Sequence, residues 1–383
     1  MINIRKVFLH STVTLVMAGP VTISGHAQVS TDAEPQASAN MRVFATGLQG
    51  PRGLKFGPDG NLYVAEAGTG GSNSTKGQCT QVVPPIGPYT GGKTGRISRI
   101  TMSGTRTTVA SGLPSTKGAM GEFQGVADLA FVDGNLYALL AGGGCSHGNA
   151  DVPNALVSVN LQNNSWKVVS NLSKFIQTHM VKYPNADDFE PDGTFYSMIP
   201  FNNRLYAVEP NHGQILTLGT DGSVGSVMDV SASEGHIVPT AITTKNGQLY
   251  LGNLSLFPAE GFLSRILSLS YAECNRSAAP GLDDEGAANQ LHVLGSKAGF
   301  NMITSVAFGP DGLLYVLSLS DAPGFPTPGK GSVRRVKADG SIETVATGLT
   351  VPTGMTFGPD GRIYVSNFGA APSGGQIVQI DVP

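Results

Sequence analysis

The chain has 383 residues, of which 40% are hydrophobic and only 13% are charged, with 51 glycines and 24 prolines. About a quarter of the residues in an ordinary globular domain are charged, so this composition favours short strands joined by tight turns over long amphipathic helices. The formal net charge is −3 and no run or stripe of Lys and Arg is present, which argues against nucleic acid and anionic membranes as partners.

The first 27 residues have the pattern of a signal peptide. Arg5 and Lys6 form a short positive region, residues 7–23 are mostly apolar, and small residues at Gly25 and Ala27 predict cleavage before Gln28. A membrane anchor is the alternative, but polar residues, Gly and Pro interrupt a stretch already shorter than the roughly 20 apolar residues of a span. We therefore predict a periplasmic or secreted protein without a membrane span after cleavage, and a polar, disordered lead-in over residues 28–40.

A hairpin motif repeats along the rest of the chain. Its full form, Phe-Gly-Pro-Asp-Gly followed by a strand with Tyr, begins at Phe56, Phe308 and Phe357, and the six motif tyrosines are Tyr63, Tyr137, Tyr206, Tyr250, Tyr315 and Tyr364. Asp-Gly and Asn-Gly supply the positive φ angles of tight hairpin turns, and the flanking residues alternate as in a packed sheet. The shortest spacing between tyrosines, 44 residues, is that of a bare four-stranded propeller blade.

The two ends of the chain are predicted to complete one blade. After the last hairpin only residues 376–381 are predicted to form a further strand, and residues 42–48 match residues 343–349 almost one for one. An N-terminal strand that completes the last blade closes the ring and hides the sheet edges. The sequence thus predicts one all-β, six-bladed β-propeller over residues 41–383. A single tryptophan argues against a WD-type propeller.

Three segments carry a resemblance to a known family. They run from Gly50-Pro51-Arg52-Gly53-Leu54 to residue 71, from Val238-Pro239-Thr240-Ala241-Ile242 to residue 258, and from Gly299-Phe300-Asn301-Met302 into the Phe308 hairpin. The chain resembles the ScyD/ScyE family, exported β-propellers related to NHL-repeat and SMP-30-like propellers. The resemblance implies fold and export but brings no established chemistry. Residues 209–212 and 185–193 depart from the family pattern.

One face of the propeller is predicted to surround the mouth of its central channel. Three residues beyond each motif tyrosine, the chain has Glu66, Leu140, Glu209, Asn253, Ser318 and Asn367. The starts of the inner strands add Arg52 and Asp128. Carboxylate and amide oxygens suit a hard cation such as Ca²⁺, so Glu66, Asp128 and Asn253 are candidate metal ligands, in a pattern similar to SMP-30-like hydrolases. The alternative is that these polar residues simply end strands at the rim of the propeller. Arg52 could bind an anionic group, or it could instead hold neighbouring loops together.

Four histidines, His147, His179, His212 and His236, lie in loops that are expected on this face. A histidine beside a carboxylate can act as a general base, and virginiamycin-lyase-like propellers combine a histidine with a divalent metal in such a role. The chain has no closely spaced histidine pair, and His212 lies in a tight turn, so ordinary loop histidines are the alternative.

Two long insertions follow second strands of adjacent blades, at residues 67–94 and 141–154. They contain Cys79 and Cys145, and because they emerge side by side we predict a Cys79–Cys145 disulfide between them, with Cys274 as the odd third cysteine. Loops of this length without secondary structure are usually functional or disordered, which favours a lid or binding collar.

These observations favour a non-enzymatic binding or scaffold protein, a monomer that binds a small molecule or protein at the channel-mouth face. The alternative is a metal-assisted hydrolase or lyase at that mouth, for example a Ca²⁺- or Mg²⁺-dependent lactone hydrolase. The two differ in whether carboxylates converge within ligand distance of one another at the channel axis. The residues do not define a substrate or a pathway.

Overall fold

A computed structural model describes residues 37–271, 290–370 and 373–382. The predicted signal peptide, lead-in residues 28–36 and Cys274 lie outside the described residues. The described strands form six small antiparallel sheets whose inner strands contact one another in a ring, so the predicted six-bladed β-propeller is confirmed. Among the helices of these residues, none is long and apolar enough to cross a membrane.

The first strand of the chain, β1 (Met41–Leu48), belongs to the last blade. Blade 1 has five strands, namely β2 (Pro51–Phe56), β3 (Leu62–Glu66), β4 (Thr90–Ile100), β5 (Arg106–Lys117) and the short β6 (Phe123–Gln124). Blade 2 consists of β7 (Val126–Val132), β8 (Asn135–Leu140), β9 (Ala155–Asn160) and β10 (Ser165–Asn171).

Blades 3 to 6 have four strands each. Blade 3 consists of β11 (Ser197–Phe201), β12 (Arg204–Glu209), β13 (Gln214–Leu218) and β14 (Val224–Asp229). Blade 4 consists of β15 (Pro239–Lys245), β16 (Gln248–Asn253), β17 (Ser264–Tyr271) and β18 (Leu291–Phe300). Blade 5 consists of β19 (Ile303–Phe308), β20 (Leu314–Ser318), β21 (Gly331–Val336) and β22 (Ile342–Leu349). Blade 6 consists of β23 (Gly354–Phe357), β24 (Ile363–Asn367), β25 (Gly375–Ile380) and β1.

Two short α-helices precede inner strands, α1 (Leu172–Thr178) before β11 and α2 (Val230–Glu234) before β15. Their N-caps are Asn171 and Asp229, whose side chains accept hydrogen bonds from backbone N–H groups three residues on. Single 3-10 turns lie at Cys145–His147 and Ala186–Asp188. All four elements lie in loops between strands and leave the blades purely β.

The ring closes as the sequence predicts. Strand β1 pairs antiparallel with β25, and the register places Met41 opposite Ile380 and Val43 opposite Val378. Residues just before β1 also contact blade 5, because the Ser38 N–H donates to the Thr347 carbonyl at 3.2 Å. The last residues of the predicted lead-in are therefore fixed against β22, where the sequence pattern suggests disorder.

Neighbouring blades are joined by a repeated aromatic contact. A motif tyrosine packs edge-on against the phenylalanine that precedes the hairpin turn of the next blade, with ring centroids 5.0 Å apart in each case. The pairs are Tyr63 with Phe131, Tyr250 with Phe308, Tyr315 with Phe357, and Tyr364 with Phe56. Such pairs contribute roughly 0.5–1.5 kcal/mol beyond their area burial. The motif thus specifies both the turn within a blade and the contact between blades.

The strand directions define two faces. The hairpin turns that follow the inner strands lie on one face, which we call the hairpin face. The loops that follow the second strands, and those that enter the inner strands, lie on the other, which we call the collar face. The inner strands enclose a cavity of about 30 Å³ on the axis, and its lining includes Gly53, Asp128, Ser197, Ala241, Thr304 and Thr353. A cavity of this size holds one or two water molecules.

Candidate functional site

Four of the predicted mouth residues make one recurring contact. Each ends a second strand and hydrogen-bonds the backbone of the segment that enters the inner strand of its own blade. The contacts are Glu66 Oε2 with the N–H of Gln49 (2.7 Å), Glu209 Oε1 with that of Thr194 (2.9 Å), Asn367 Oδ1 with that of Thr350 (2.7 Å), and Asn253 Nδ2 with the carbonyl of Ile237 (3.0 Å). All four side chains are buried. The recurrence supports the alternative in which these residues end strands and hold loops.

Glu66 has the most complete set of partners. Its fully buried carboxylate forms an ion pair with Arg96 through Nη2 at 2.7 Å, and the Ser98 hydroxyl donates to Oε1. With the Gln49 N–H also on Oε2, both oxygens are engaged. A cation at this position would have to displace existing donors.

Glu209 and His212 are fixed by the turn between β12 and β13. The N–H groups of Asn211 and His212 donate to the Glu209 carboxylate at 3.3 and 2.7 Å. Burial raises the pKa of Glu209, and the charge of His212 only partly opposes this effect. His212 Nε2 donates to the carbonyl of Glu190 at 2.9 Å, and its ring stacks on Phe189. The buried His212 Nδ1 has no hydrogen-bond partner among the described residues.

Asp128 lies in the channel lining. Its two oxygens accept the N–H groups of Leu129 and Met198, each at 2.8 Å, and Lys55 Nζ lies 3.7 Å away. Burial raises the pKa of Asp128 despite the opposing charge of Lys55. A Cβ on Gly53 would lie 2.8 Å from the Asp128 Cα, which shows how closely β2 approaches β7. Asp128 therefore ties three inner strands together.

Arg52 joins β2 to β6 and to the segment that enters β11. It donates to the carbonyl of Phe123, and its guanidinium lies 5.9 Å from the ring centroid of Tyr196. The Tyr196 hydroxyl in turn donates to the Thr353 carbonyl at 3.1 Å, and burial raises the pKa of Tyr196 to about 12. These contacts support the loop-holding alternative for Arg52.

The collar face contains a buried polar network that the sequence did not reveal as a unit. His147 Nε2 lies 3.0 Å from Glu190 Oε2, and the Tyr89 hydroxyl donates to Glu190 Oε1 at 2.9 Å. The Tyr89 and His147 rings stack with centroids 5.0 Å apart. Thr194 donates to Glu190, and Gln124 donates to the Tyr89 hydroxyl at 3.0 Å. We call these five residues the collar network.

The collar network joins three long loops. Tyr89 comes from residues 67–94, His147 from residues 141–154, and Glu190 from the segment between α1 and β11. The neighbouring Ser146 hydroxyl donates to Asp192 at 2.6 Å and lies 3.4 Å from His147 Nδ1. A serine beside a histidine could in principle serve as nucleophile and base. Ser146 and His147 are fully buried, however, so neither side chain is exposed to a substrate. Their hydrogen bonds order the loops.

A disulfide joins the same loops. Cys79 and Cys145 are bonded, with their Cα atoms 6.3 Å apart, and the Thr75 hydroxyl donates to the Cys145 carbonyl. Cys145 lies in the same 3-10 turn as His147 of the collar network. The collar network and the disulfide therefore brace one set of loops over blades 1 to 3.

The other two loop histidines make local contacts. His236 Nε2 lies 2.8 Å from Asp188 Oδ2, and the exposed His179 stacks on Phe175 with ring centroids 4.1 Å apart. Within the residues that the structure describes, no group of three or more His, Cys, Asp and Glu side chains is arranged to hold a metal ion. His236 directly precedes Ile237, whose carbonyl accepts a hydrogen bond from the predicted ligand Asn253.

The carboxylate of the collar network is expected to make the stability of the fold depend on pH. Burial alone would raise the pKa of Glu190, but the hydrogen bond and charge of His147, with the Thr194 and Tyr89 hydroxyls, outweigh burial and hold that pKa below 4.5. A carboxyl with a lowered folded-state pKa stabilises the fold above its unfolded-state pKa, and this contribution is lost as pH falls through the folded-state pKa. We expect urea unfolding between about pH 6 and pH 3 to show a smaller loss of stability for Glu190→Gln than for the wild type. Parallel stability curves for the two proteins would contradict this assignment.

An apolar ledge occupies the opposite side of the collar face. The loops after β16 and β20 expose five large apolar side chains to between 39% and 61%: Leu256, Phe257, Phe262, Leu263 and Phe325. Ala259 and Gly324 exchange two backbone hydrogen bonds of 2.8 Å, which join the two loops. The rings of Phe257 and Phe325 lie 6.2 Å apart. We call these five residues the apolar ledge.

The fold and these contacts define a β-propeller, and the comparisons agree with that class. The structure is similar to those of an oxidoreductase described as a glucose dehydrogenase from Thermus thermophilus (TM-score 0.53, 18% identity, covering 90% of this chain and 100% of that one) and a gluconolactonase from Xanthomonas campestris (TM-score 0.53, 10% identity, covering 90% and 89%). It is also similar to a PQQ-bound aldose sugar dehydrogenase from Streptomyces coelicolor (TM-score 0.50, 13% identity, covering 91% and 99%).

At these identities the likeness establishes the fold alone. The chain matches no protein-family model and no curated protein sequence. The ScyD/ScyE resemblance therefore stays a prediction from the sequence.

Proposed function

We propose that this chain is an exported, non-catalytic binding propeller that uses the collar face to hold an uncharged, apolar surface of a partner protein. The observation that carries the proposal is the apolar ledge. The largest contiguous exposed apolar patch on a monomeric soluble protein is often a functional interaction site. The ledge gathers five large apolar side chains from two adjacent loops.

The ledge is built to stay exposed. The backbone bridge between Ala259 and Gly324 fixes the two loops to each other. Arg334 lies over the ring of Phe262, 5.5 Å from its centroid, and holds that ring from one side. A surface that is already ordered loses little conformational entropy on binding, which favours affinity.

The charges around the ledge define the chemistry of the partner. Arg334 pairs with Asp321 at 2.9 Å, and Arg265 pairs with Glu234 at 2.7 Å. These pairs neutralise Arg334 and Arg265, so no free cation of theirs faces the ledge, while the exposed Glu260 of the loop after β16 forms no ion pair among the described residues. The ledge complements an uncharged apolar protein surface better than an acidic peptide or an anionic membrane.

The channel gives less support to the hydrolase or lyase alternative. The oxygens of Glu66 and Asp128 already accept protein donors. The axial cavity of about 30 Å³ has room for water but not for a sugar or a lactone, because ligand pockets usually span about 300–1,000 Å³. The described geometry therefore favours binding at the collar face over catalysis in the channel.

A photo-crosslinking amino acid placed at Phe257 or Phe325 tests the proposal. In the organism of origin we expect both positions to form an adduct with the same other protein, while the equally exposed Leu294 on β18 gives none. With that protein purified, Phe325→Ser should weaken binding by about tenfold or more, as expected for an aromatic anchor. The absence of an adduct, an adduct with a second copy of this chain, or crosslinking to lipid would each overturn the proposal.

A further inference from the structure

A groove on the hairpin face lies between blades 2 and 3. It has a volume of about 720 Å³, within the range of ligand sites, and is lined by the β7–β8 turn, the β9–β10 hairpin and the turn between β13 and β14. This position is on the opposite face from the apolar ledge.

The six blades differ in the size of the third-strand residue that pairs with the motif tyrosine. Each motif tyrosine lies on the second strand and pairs with a residue of the third strand. In blades 1, 5 and 6 this third-strand residue has a long side chain: Arg99, Arg335 and Gln379. Arg335 and Gln379 donate to the tyrosine hydroxyl at 3.1 and 2.6 Å. Blades 2, 3 and 4 have short side chains at this position, namely Ser158, Thr217 and Ser268. In blade 2 the short Ser158 lines the groove.

A departure from the repeat in blade 3 uncovers the motif tyrosine of blade 2. In blade 2, Phe131 covers Tyr63 of blade 1. Phe131 itself pairs with Leu136, the residue just before the blade 2 motif tyrosine, Tyr137. In blade 3 that position holds Pro200, opposite Leu205. The nearby Phe201 packs instead on Tyr206 of its own blade, with ring centroids 5.2 Å apart. Blade 3 therefore offers no phenylalanine at the position that would cover Tyr137.

The hydroxyl of Tyr137 differs from those of the other motif tyrosines. The hydroxyls of the other five each hydrogen-bond a side chain. The pairs are Tyr63 with Asp59, Tyr206 with Tyr271, Tyr250 with Gln248, Tyr315 with Asp311, and Tyr364 with Asp360. Among the described residues none hydrogen-bonds the Tyr137 hydroxyl, although Tyr137 lines the groove. A tyrosine with an apolar ring and a free hydroxyl is suited to contact both the carbon skeleton and the hydroxyl groups of a ligand.

The rest of the lining indicates the class of ligand. Asn160 and Gln162 add amide groups, Ser158 adds a hydroxyl, and Lys167 and Asp221 add one charge of each sign. Amides and hydroxyls both donate and accept hydrogen bonds, while the two charges cancel. We propose that this groove binds a neutral oligosaccharide of two or three rings.

The decisive variant introduces into blade 2 the residue type found in blades 1 and 5. Ser158→Arg places in blade 2 the side chain that fills the space in blades 1 and 5, so the fold is expected to tolerate it. The matched control is Ser268→Arg, because Ser268 pairs with Tyr250 at the same register position of blade 4. Tyr137→Phe is a second, milder variant that removes only the hydroxyl.

The experiment titrates the purified mature protein with cellotriose, maltotriose, xylotriose and chitotriose by calorimetry and saturation-transfer NMR. We expect at least one of them to bind, with affinity lowered by at least tenfold in Ser158→Arg, by about three- to tenfold in Tyr137→Phe, and unchanged in Ser268→Arg. Failure of all four sugars to bind the wild type would overturn the proposal, as would binding that persists in Ser158→Arg. Neither result bears on the apolar ledge, which the crosslinking experiment tests separately.

Discussion

Replacing Glu66 by alanine is expected to lower the free energy of unfolding by about 3–5 kcal/mol, because it leaves Arg96 without its partner in a buried ion pair. The loss also removes the acceptor for the Gln49 N–H and the Ser98 hydroxyl. Equilibrium urea unfolding of the wild type and Glu66→Ala measures the difference. We expect the size of the loss to be the same with and without added Ca²⁺, since the role of Glu66 is to hold the entry to β2.

Ser318→Ala is the matched control, because Ser318 ends the second strand of blade 5 as Glu66 does in blade 1. The buried Ser318 hydroxyl has no hydrogen-bond partner in the part of the chain that the structure describes. Removing it is expected to change stability by no more than about 0.5 kcal/mol, since no bond is broken. A loss for Glu66→Ala no larger than that of the control would contradict a structural role for Glu66.

The second large effect is expected at the disulfide. Cys79 and Cys145 are 66 residues apart, and closing a loop of that length lowers the entropy of the unfolded chain by an amount equivalent to about 4 kcal/mol. We expect the double variant Cys79→Ser, Cys145→Ser to lose about 2–4 kcal/mol and to lose protection from hydrogen exchange over residues 67–94 and 141–154.

The control for this prediction is chemical. Reductant should destabilise the wild type by about the same amount and leave the double variant unchanged. Peptide mapping under non-reducing conditions should recover one peptide pair linked through Cys79 and Cys145. Recovery of Cys79 as an alkylated thiol from the native protein would contradict the prediction, as would a double variant as stable as the wild type.

The fold could be predicted from the sequence because its information is local and repeated. Each Asp-Gly or Asn-Gly turn fixes a hairpin by its backbone conformation alone, and the match of residues 42–48 with 343–349 identifies the strand that closes the ring. The structure pairs β1 with β25 as this match predicts. A pattern that recurs six times leaves few alternative topologies.

The roles of the site residues could not be predicted in the same way. The spacing from each motif tyrosine correctly places Glu66 and Glu209 at strand ends, but it does not show that backbone N–H groups already occupy their oxygens. Whether an oxygen is free depends on donors from other segments, such as Thr194 for Glu209. The interpretation of Glu66, Asp128 and Asn253 as metal ligands therefore stays a hypothesis, and the observed contacts favour a structural role.

The collar network and the apolar ledge were missed for a related reason. Tyr89, His147 and Glu190 are far apart in the chain and meet only because three loops converge, so no spacing reveals them. Phe257 and Phe325 look like ordinary core residues in the sequence, and only their exposure marks them as surface. The sequence did contain one signal for the apolar ledge. The loops after β16 and β20, the second strands of adjacent blades, each contain a phenylalanine followed by proline, at Phe257 and Phe325.

Titration of the purified mature protein with Ca²⁺ by isothermal calorimetry tests most directly whether the channel mouth is a structural element of a binding protein or a metal centre. Because the oxygens of Glu66 and Asp128 already accept protein donors, we predict no stoichiometric binding at micromolar to low millimolar Ca²⁺. A one-to-one site that disappears in Glu66→Gln or Asp128→Asn would contradict this account and favour the metal-assisted hydrolase or lyase.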